Sequence, residues 1–349
     1  MGRYPSYSLP VNQEKAAMSM KYALAREGAG IDAIELHMQP IPEPGPGEVL
    51  VRLTAATLNY RDLLFVKGIL KGLTKTPAYI PASCATGGVI SLGEGVDGLE
   101  IGDRVNPLFF QNMGPDDPGS MDMLGGSVDG VARTWGVFPA QSLCVVPDEL
   151  GDLEAATLPC AGLTAWSALF GPRPLQAGET VLLQGTGGVS LAALQWAKAA
   201  GATVVITSSS NAKLHRAKAL GADVGINYVE TSDWAAAARD ALGGAGADIV
   251  VDVVGERELA KSAAVLNDGG IIAAVGMLDG SFSWGQEIGK PIIQVSVGSR
   301  EQHEAMLSFA VQHRIRPAVD VVYDLDRIGD ALHHLESGRF FGKIGINLR

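Results

Sequence analysis

The chain has 349 residues, of which 47% are hydrophobic and 19% charged, with a formal net charge of −11. That is apolar material for two globular cores, because single cores stop growing at roughly 250–300 residues. An acidic balance with no Lys/Arg cluster argues against nucleic acid, whose phosphates demand a basic face, and disfavours anionic membrane surfaces.

The three cysteines, Cys84, Cys144 and Cys160, include no C-x-x-C pair and give no disulfide framework, which fits a reducing compartment. No apolar run approaches the ~20 residues of a membrane helix. The first eighteen residues lack the apolar stretch of a secretory signal and read as a polar arm ahead of the first strand. A cytoplasmic protein is expected, without membrane or nucleic-acid partners.

In chain order, short apolar runs come first, bounded by Gly, Pro and Asp: EVLVRLTAAT (48–57), ATGGVISLG (85–93), GDRVNPLFF (102–110) and AQSLCVVP (140–147). This pattern predicts a turn-rich β domain. The aperiodic segment 111–130 reads either as a substrate-facing lid or as a surface loop, with Phe109, Phe110, Met113, Met121 and Met123 in or beside it. From residue 152 the texture changes. DLEAATLPCAGLTAWSALF (152–170) has helical spacing, and then near-continuous apolar strands alternate with amphipathic helices that close on Gly201, Gly221 and Gly243. Such alternation predicts βαβ units on a buried parallel sheet. A capping box, Ser299-x-x-Gln302, opens a further helix, followed by a strand near 318–323, a helix and the closing strand GKIGINL.

The strongest motif is VLLQGTGGVSLAALQWAKAAGATVVITSSS (181–210). A strand feeds Gly185-Thr186-Gly187-Gly188-Val189-Ser190, a helix begins at once, and a second strand follows about twenty residues on. Glycines there permit a tight turn and close backbone approach to a pyrophosphate, whose charge the helix N-terminus holds. NAD sites place a carboxylate at the end of the second strand to bond the ribose 2′-OH. Here no acidic residue lies between Gly185 and Ala222, and the strand ends in Thr207-Ser208-Ser209-Ser210, with Lys213 and Arg216 beyond. Hydroxyls and cations suit a 2′-phosphate, so NADP(H) is the expected cofactor.

With EPGPGEVLVR (43–52), LNYRDL (58–63), GEGVDGLEIGDRV (93–105), EAATLPCAGLTAW (154–166), GTGGVS (185–190) and FGKIGINL (341–348), the chain resembles the medium-chain dehydrogenase/reductase superfamily, in its zinc-free, quinone-oxidoreductase-like branch. The resemblance implies an α/β protein in which a GroES-like β-rich catalytic domain (1–151 plus 301–349) joins a Rossmann domain (152–300). It implies a homodimer, with IIQVSVG (292–298) as the pairing edge. It also places Thr164 near the nicotinamide and Lys213 and Tyr228 on the 2′-phosphate. Gly276, Met277, Leu278 and the run Val297 to Ser299 should border the cofactor.

Zinc relatives hold their catalytic metal with Cys, a His–Glu pair and a second Cys. Here Asn59 and Ser83-Cys84 fall on the first three positions and only Cys160 coincides with a ligand. One thiolate does not hold zinc, and no metal is expected. Asn59, Tyr60 and Asp62 are the candidate catalytic residues: Asn59 to donate to a developing oxyanion, Tyr60 to supply a proton, Asp62 as a helix-start or supporting group. Tyrosines common in bacterial quinone reductases are replaced by Leu64 and Leu70. Three readings follow in order: an NADPH-dependent reductase of enones, quinones or carbonyls; a zinc-free alcohol dehydrogenase; and a non-catalytic NADPH-binding protein.

Overall fold

The computed structural model describes residues 19–111, 122–276 and 288–349. The N-terminal arm, Met113 and Met121 of the 111–130 segment, and Met277 and Leu278 lie outside the described residues.

A two-stranded ribbon, β1 (Ser19–Leu24) and β2 (Glu35–Pro40), precedes the first large sheet. That sheet is entered by β3 (Glu48–Thr57), which feeds the short helix α1 (Tyr60–Val66). It continues with β4 (Cys84–Leu92), β5 (Arg104–Pro107), β6 (Trp135–Pro139) and β7 (Leu143–Val145). The chain then passes through α2 (Asp152–Ala155) and α3 (Leu163–Phe170) into a second unit. Here β8 (Thr180–Leu183), α4 (Gly188–Ala199), β9 (Thr203–Ser208), α5 (Asn211–Ala219) and β10 (Val224–Asn227) alternate. They are followed by α6 (Trp234–Ala241), β11 (Ala247–Asp252), α7 (Leu259–Val265), β12 (Leu266–Ala274) and β13 (Ile292–Gln294). Last come α8 (Arg300–Gln312), β14 (Val319–Asp324), α9 (Ile328–Glu336) and β15 (Lys343–Asn347).

The second unit forms one parallel sheet in the order β10-β9-β8-β11-β12-β13. Its strands read as continuous apolar runs because both faces are covered. Leu194, Trp196 and Met306 fill one side, and Trp234, Leu259 and Val265 fill the other. The chain winds outward from β8 to β10 and returns to β11 beside β8, which places a topological switch point at the carboxyl ends of β8 and β11. Dinucleotides bind at such crevices in doubly wound sheets.

The first sheet runs β14-β15-β3-β4-β5-β7, with β6 paired to β3. The C-terminal strands therefore complete the N-terminal domain, and Leu325, Ile328, Leu332, Ile344 and Ile346 share its core. The capping box at Ser299 and Gln302 forms, with the Gln302 side chain accepting from the Ser299 backbone at 2.9 Å. Met306, Leu307 and Ala310 of α8 pack with the parallel sheet, as do Ile315 and Phe341 further along the chain.

Two segments differ from their sequence pattern. The helical spacing over 152–170 is broken by a π-helical turn, Leu158–Gly162, between α2 and α3. Pro159 lacks the N–H that a regular helix would use there, and the hydroxyl of Thr157 donates to the Glu154 carbonyl at 2.7 Å. The second difference is at the end of α7, where β12 starts at Leu266, ahead of the Asp268-Gly269-Gly270 turn signal, with a register irregularity opposite β11.

Trp196, 1% exposed, donates its indole N–H to the Gly162 carbonyl at 3.2 Å and so joins the helix after the glycine loop to the π-helical turn. Trp196→Ala should cost about 3–5 kcal/mol, and Trp196→Phe, which keeps most of the packing, about 1 kcal/mol. Urea denaturation checks both values, and equal losses would show that the hydrogen bond rather than the packing carries the side chain's contribution.

Candidate active site

The glycine loop leaves β8 at its carboxyl end. Gly185 has φ +74°, which a residue with a Cβ resists, and its N–H donates to Thr207 Oγ1 at 3.3 Å. Ser190 Oγ donates back to the Gln184 carbonyl at 2.6 Å, closing the turn onto α4. A Cβ on Gly187 would meet nothing within 4 Å, so the space in front of it is open. Gly188 has another reason to be glycine: its missing Cβ would lie 2.5 Å from Cδ of Lys343. The stem of that lysine fills the position.

The strand ends around the loop are tied together. Gln184 Nε2 donates to Ser262 Oγ at 2.8 Å, and Ser262 donates to Asp252 Oδ2 at 2.6 Å. Asp252 Oδ1 accepts from the N–H groups of Val254 and Gly255, both at 3.0 Å. Burial raises the Asp252 pKa, against these hydrogen bonds. Gly276 follows β12, and a Cβ there would fall 1.9 Å from the Val253 carbonyl oxygen. The crevice between β8 and β11 is thus backed by a rigid polar network.

At the end of β9, Ser208 is buried and Ser209 exposed. The N–H of Tyr228 donates to the Ser208 carbonyl at 3.1 Å, which places Tyr228, 44% exposed, beside it. Lys213 Nζ donates to the Gly338 carbonyl at 2.6 Å and lies 5.9 Å from the Phe340 ring centroid. Arg216 stacks at 4.1 Å on Phe341 and pairs with Asp320 at 2.9 Å. Burial lowers the Lys213 pKa, Asp320 opposes that, and Arg216 adds to it. The structure also brings in Glu230, held by the Asn211 side chain at 2.7 Å. The cations at this edge are shared between the Rossmann unit and the C-terminal segment.

Facing the glycine loop is a buried polar cluster. Asn59, just ahead of α1, donates its backbone N–H to Asp62 Oδ2 at 2.8 Å, so Asp62 is a helix-start group. Burial raises the Asp62 pKa, while Arg61, the Asn59 N–H and Lys343 work the other way. The Asn59 side chain points Nδ2 at Ser83 Oγ and Cys84 Sγ, both at 3.1 Å. Its Oδ1 accepts from the ammonium of Lys343, which also donates to the Leu58 carbonyl. An ammonium only donates, so Lys343 fixes which way the amide faces. Cys84 on β4 and Cys160 on the π-helical turn come from elements that pack against each other. Burial opposes a charge on Cys84, yet the Cys160 thiol, the Lys343 ammonium and the Asn59 amide outweigh it and draw its pKa down. The neighbouring Cys84 and burial push the Cys160 thiol well up.

Of the other expected residues, Thr164 is buried on α3, four residues beyond Cys160, and Tyr60 is 38% exposed at the start of α1. The Val297 carbonyl accepts from Ser167 Oγ at 2.9 Å, and Ser299 caps α8, so both organise the α3–α8 contact. Phe109 is tucked away: the Arg61 guanidinium lies 4.6 Å from its ring and 4.6 Å from that of Phe65, and donates to the Leu124 carbonyl at 2.8 Å. Sequence reading missed Lys343 and Arg61 as site residues. The adjacency of Lys343 to Gly342, whose N–H bonds the Thr186 carbonyl at 2.9 Å, is visible only in three dimensions. Among the described residues, no three His, Cys, Asp or Glu side chains come together as a metal-ligand group.

This geometry coincides with what comparison finds. Residues 45–148 match the alcohol dehydrogenase GroES-like domain family, and residues 188–312 the zinc-binding dehydrogenase family. The chain is 38% identical to a zinc-type alcohol dehydrogenase-like protein of Schizosaccharomyces pombe over 95% of this chain and all of the relative. A crystal structure of an NAD-dependent alcohol dehydrogenase superposes with a TM-score of 0.84 at 31% identity, covering 94% of this chain and 99% of that one. A mycobacterial protein complexed with NADPH superposes with a TM-score of 0.79 at 27% identity, covering 94% and 100%. The chain belongs to the medium-chain dehydrogenase/reductase superfamily. Within it, the protein is a nicotinamide-dependent oxidoreductase with a GroES-like domain and a Rossmann domain.

If the Lys343 stem occupies the space over Gly188, Gly188→Ala should be costly in the native background and milder once Lys343→Ala has emptied that space. The pair should be non-additive by about 1 kcal/mol or more in a denaturation cycle. Additive losses would show that the two positions do not touch.

Proposed function

We propose that the protein is an NADP(H)-dependent reductase of enones, quinones or related conjugated carbonyls that works without a catalytic zinc. The observation that carries this reading is the cluster of Asn59, Ser83, Cys84, Cys160 and Lys343. Zinc takes thiolate, imidazole and carboxylate ligands. This cluster offers two thiols, a hydroxyl and an amide whose N–H groups face the sulfur, with an ammonium already in contact. A divalent cation would meet a like charge and too few ligands. The donor set does not fit the metal.

The cofactor reading is supported by the absence of any carboxylate from Gly185 to Ala222 and by Ser208, Ser209, Lys213 and Tyr228 at the β9 edge. Gly185, Thr186, Gly187, Gly188 and Val189, at the start of α4, would receive the pyrophosphate, with Thr164 and Gly276 beside the nicotinamide. The bound cofactor supplies the hydride. The Lys343 ammonium, held by Asn59, provides a fixed positive charge toward which an enolate oxygen can develop negative charge. Tyr60, exposed at the start of α1, is the proton donor in this proposal. A conjugated acceptor suits this site, because its charge spreads onto an oxygen that hydrogen bonds can stabilise without a Lewis acid. We further propose a cytoplasmic homodimer paired along the β13 edge.

Calorimetric titration of metal-analysed protein with NADPH and then NADH tests the core of the proposal. Tight NADPH, weak NADH and no stoichiometric zinc are expected, with turnover of enones but not of simple alcohols. Stoichiometric zinc with alcohol oxidation would replace this reading with that of an alcohol dehydrogenase. Lys213→Ala should weaken NADPH about tenfold to a hundredfold, the loss of one charge-assisted contact, and leave NADH nearly unchanged. Equal losses would remove Lys213 from the 2′-phosphate. Gly187→Val should abolish binding of both cofactors while the thermal transition is kept, since its side chain enters open space.

A further inference from the structure

In the parallel sheet, the pairing of β8 with β11 runs from Val181 opposite Ile249 to Leu183 opposite Val251, and the ladder ends there. Past that point the two chains part. Gln184 leads into the glycine loop and α4, which packs on one face of the sheet, and Asp252 leads toward α7, which packs on the other. Strands that diverge in this way open the crevice in which a dinucleotide lies.

The Gln184 side chain takes over where the ladder stops. Its Oε1 accepts from the Val253 N–H at 3.2 Å, and its Nε2 donates to Ser262 Oγ of α7 at 2.8 Å and to Asp252 Oδ2 at 3.3 Å. Its backbone carbonyl accepts from Ser190 Oγ of α4 at 2.6 Å. One buried residue, 3% exposed, therefore touches both crossovers and the turn between them. Asp252 completes the frame, since its Oδ1 holds the N–H groups of Val254 and Gly255 and its backbone carbonyl those of Val275 and Gly276. Few side chains can replace the amide here. Methionine has the length but neither donor nor acceptor of comparable strength, and a glutamate accepts only and sets a second carboxylate against Asp252.

We propose that Gln184 is a positioning residue for hydride transfer: it acts through the cofactor, by holding the glycine loop and the Val253–Gly255 turn at the spacing that the nicotinamide half of the dinucleotide requires. The open space at Gly187 is where the backbone admits the pyrophosphate. On one side of it stands the loop that begins at Gly185; on the other stands the turn, with Gly255 at φ +112° and Gly276 packed against Val253. The adenosine end belongs at β9, which lies across β8 from β11 and so away from this bridge. With the bridge cut, the adenosine end keeps its site while the nicotinamide half loses a fixed second wall. Gln184 serves NADPH and NADH alike, because the bridge is remote from the group on the ribose 2′-carbon that distinguishes them.

The test compares the full-length protein with Gln184→Met by calorimetry, using NADPH, NADH and the fragments adenosine 2′,5′-bisphosphate and AMP. Each dinucleotide should weaken by about tenfold, the scale on which a small misplacement of a binding group is felt, while each fragment stays within about twofold, as for a site remote from the change. Bound NADPH at saturation should also lose part of its fluorescence enhancement, since its nicotinamide ring is less enclosed. Equal weakening of dinucleotides and fragments would mean that Gln184 supports the fold and nothing more, and would overturn its positioning role. Native affinities with native fluorescence would overturn it as well. Ser262→Ala removes the α7 partner with a smaller change of shape and should show the same selective loss at about threefold, the weight of one hydrogen bond; it decides the matter by the same criteria if Gln184→Met does not fold. In the double variant the loss should be no larger than in Gln184→Met alone, because both act through one bridge. Native protein that prefers NADH would sink the 2′-phosphate reading and leave this comparison intact, because each dinucleotide is judged against its own fragment.

Discussion

The Lys343 ammonium is the contact on which the two halves of the molecule converge. Its stem lies over Gly188 at the start of α4, and its charge reaches the Leu58 carbonyl and the Asn59 amide. A buried cation must find acceptors or give up its charge. The acceptors of Lys343 lie in its own domain, directly after β3, while its stem lies against Gly188, so one side chain ties the first sheet to the start of α4. The neighbouring Gly342 reinforces this, since its N–H closes on the Thr186 carbonyl at 2.9 Å. The C-terminal strand β15 is therefore both an element of the first sheet and the support of the dinucleotide loop.

From that constraint the electrostatics of the cleft follow. Asp62 is buried behind Asn59, with Arg61 at 3.8 Å, and Cys84 faces the same ammonium. Arg61 and Lys343 oppose the burial that raises the Asp62 pKa, and Lys343 also draws the Cys84 thiol down. Removing any one charge would leave another buried without compensation, which is the expensive outcome in low dielectric. The polar groups form a mutually dependent set.

Much of this was legible in the sequence. The alternation of apolar strands and amphipathic helices after residue 152, the strand–glycine–helix unit at 181–199 and the capping box at Ser299 are local patterns, and each formed where its spacing placed it. The π-helical turn was not read because apolar spacing over 152–170 is compatible with a continuous helix; the local signal against it was Pro159, which lacks the N–H that such a helix needs. Lys343 was hidden for a different reason. A lysine at the start of a closing strand reads as a solvated charge, and nothing local to residues 341–348 says that Asn59 lies within reach. Glu230 likewise enters the β9 edge from beyond β10, outside the window in which a second-strand carboxylate is sought.

The π-helical turn has a meaning beyond its irregularity. Leu158 at the start of the π-helical turn and Leu163 and Ala165 just after it are all buried in the Rossmann core. Trp196 holds the turn through the Gly162 carbonyl, and Thr157 closes its start. The turn is thus held at both of its ends by residues of the Rossmann unit.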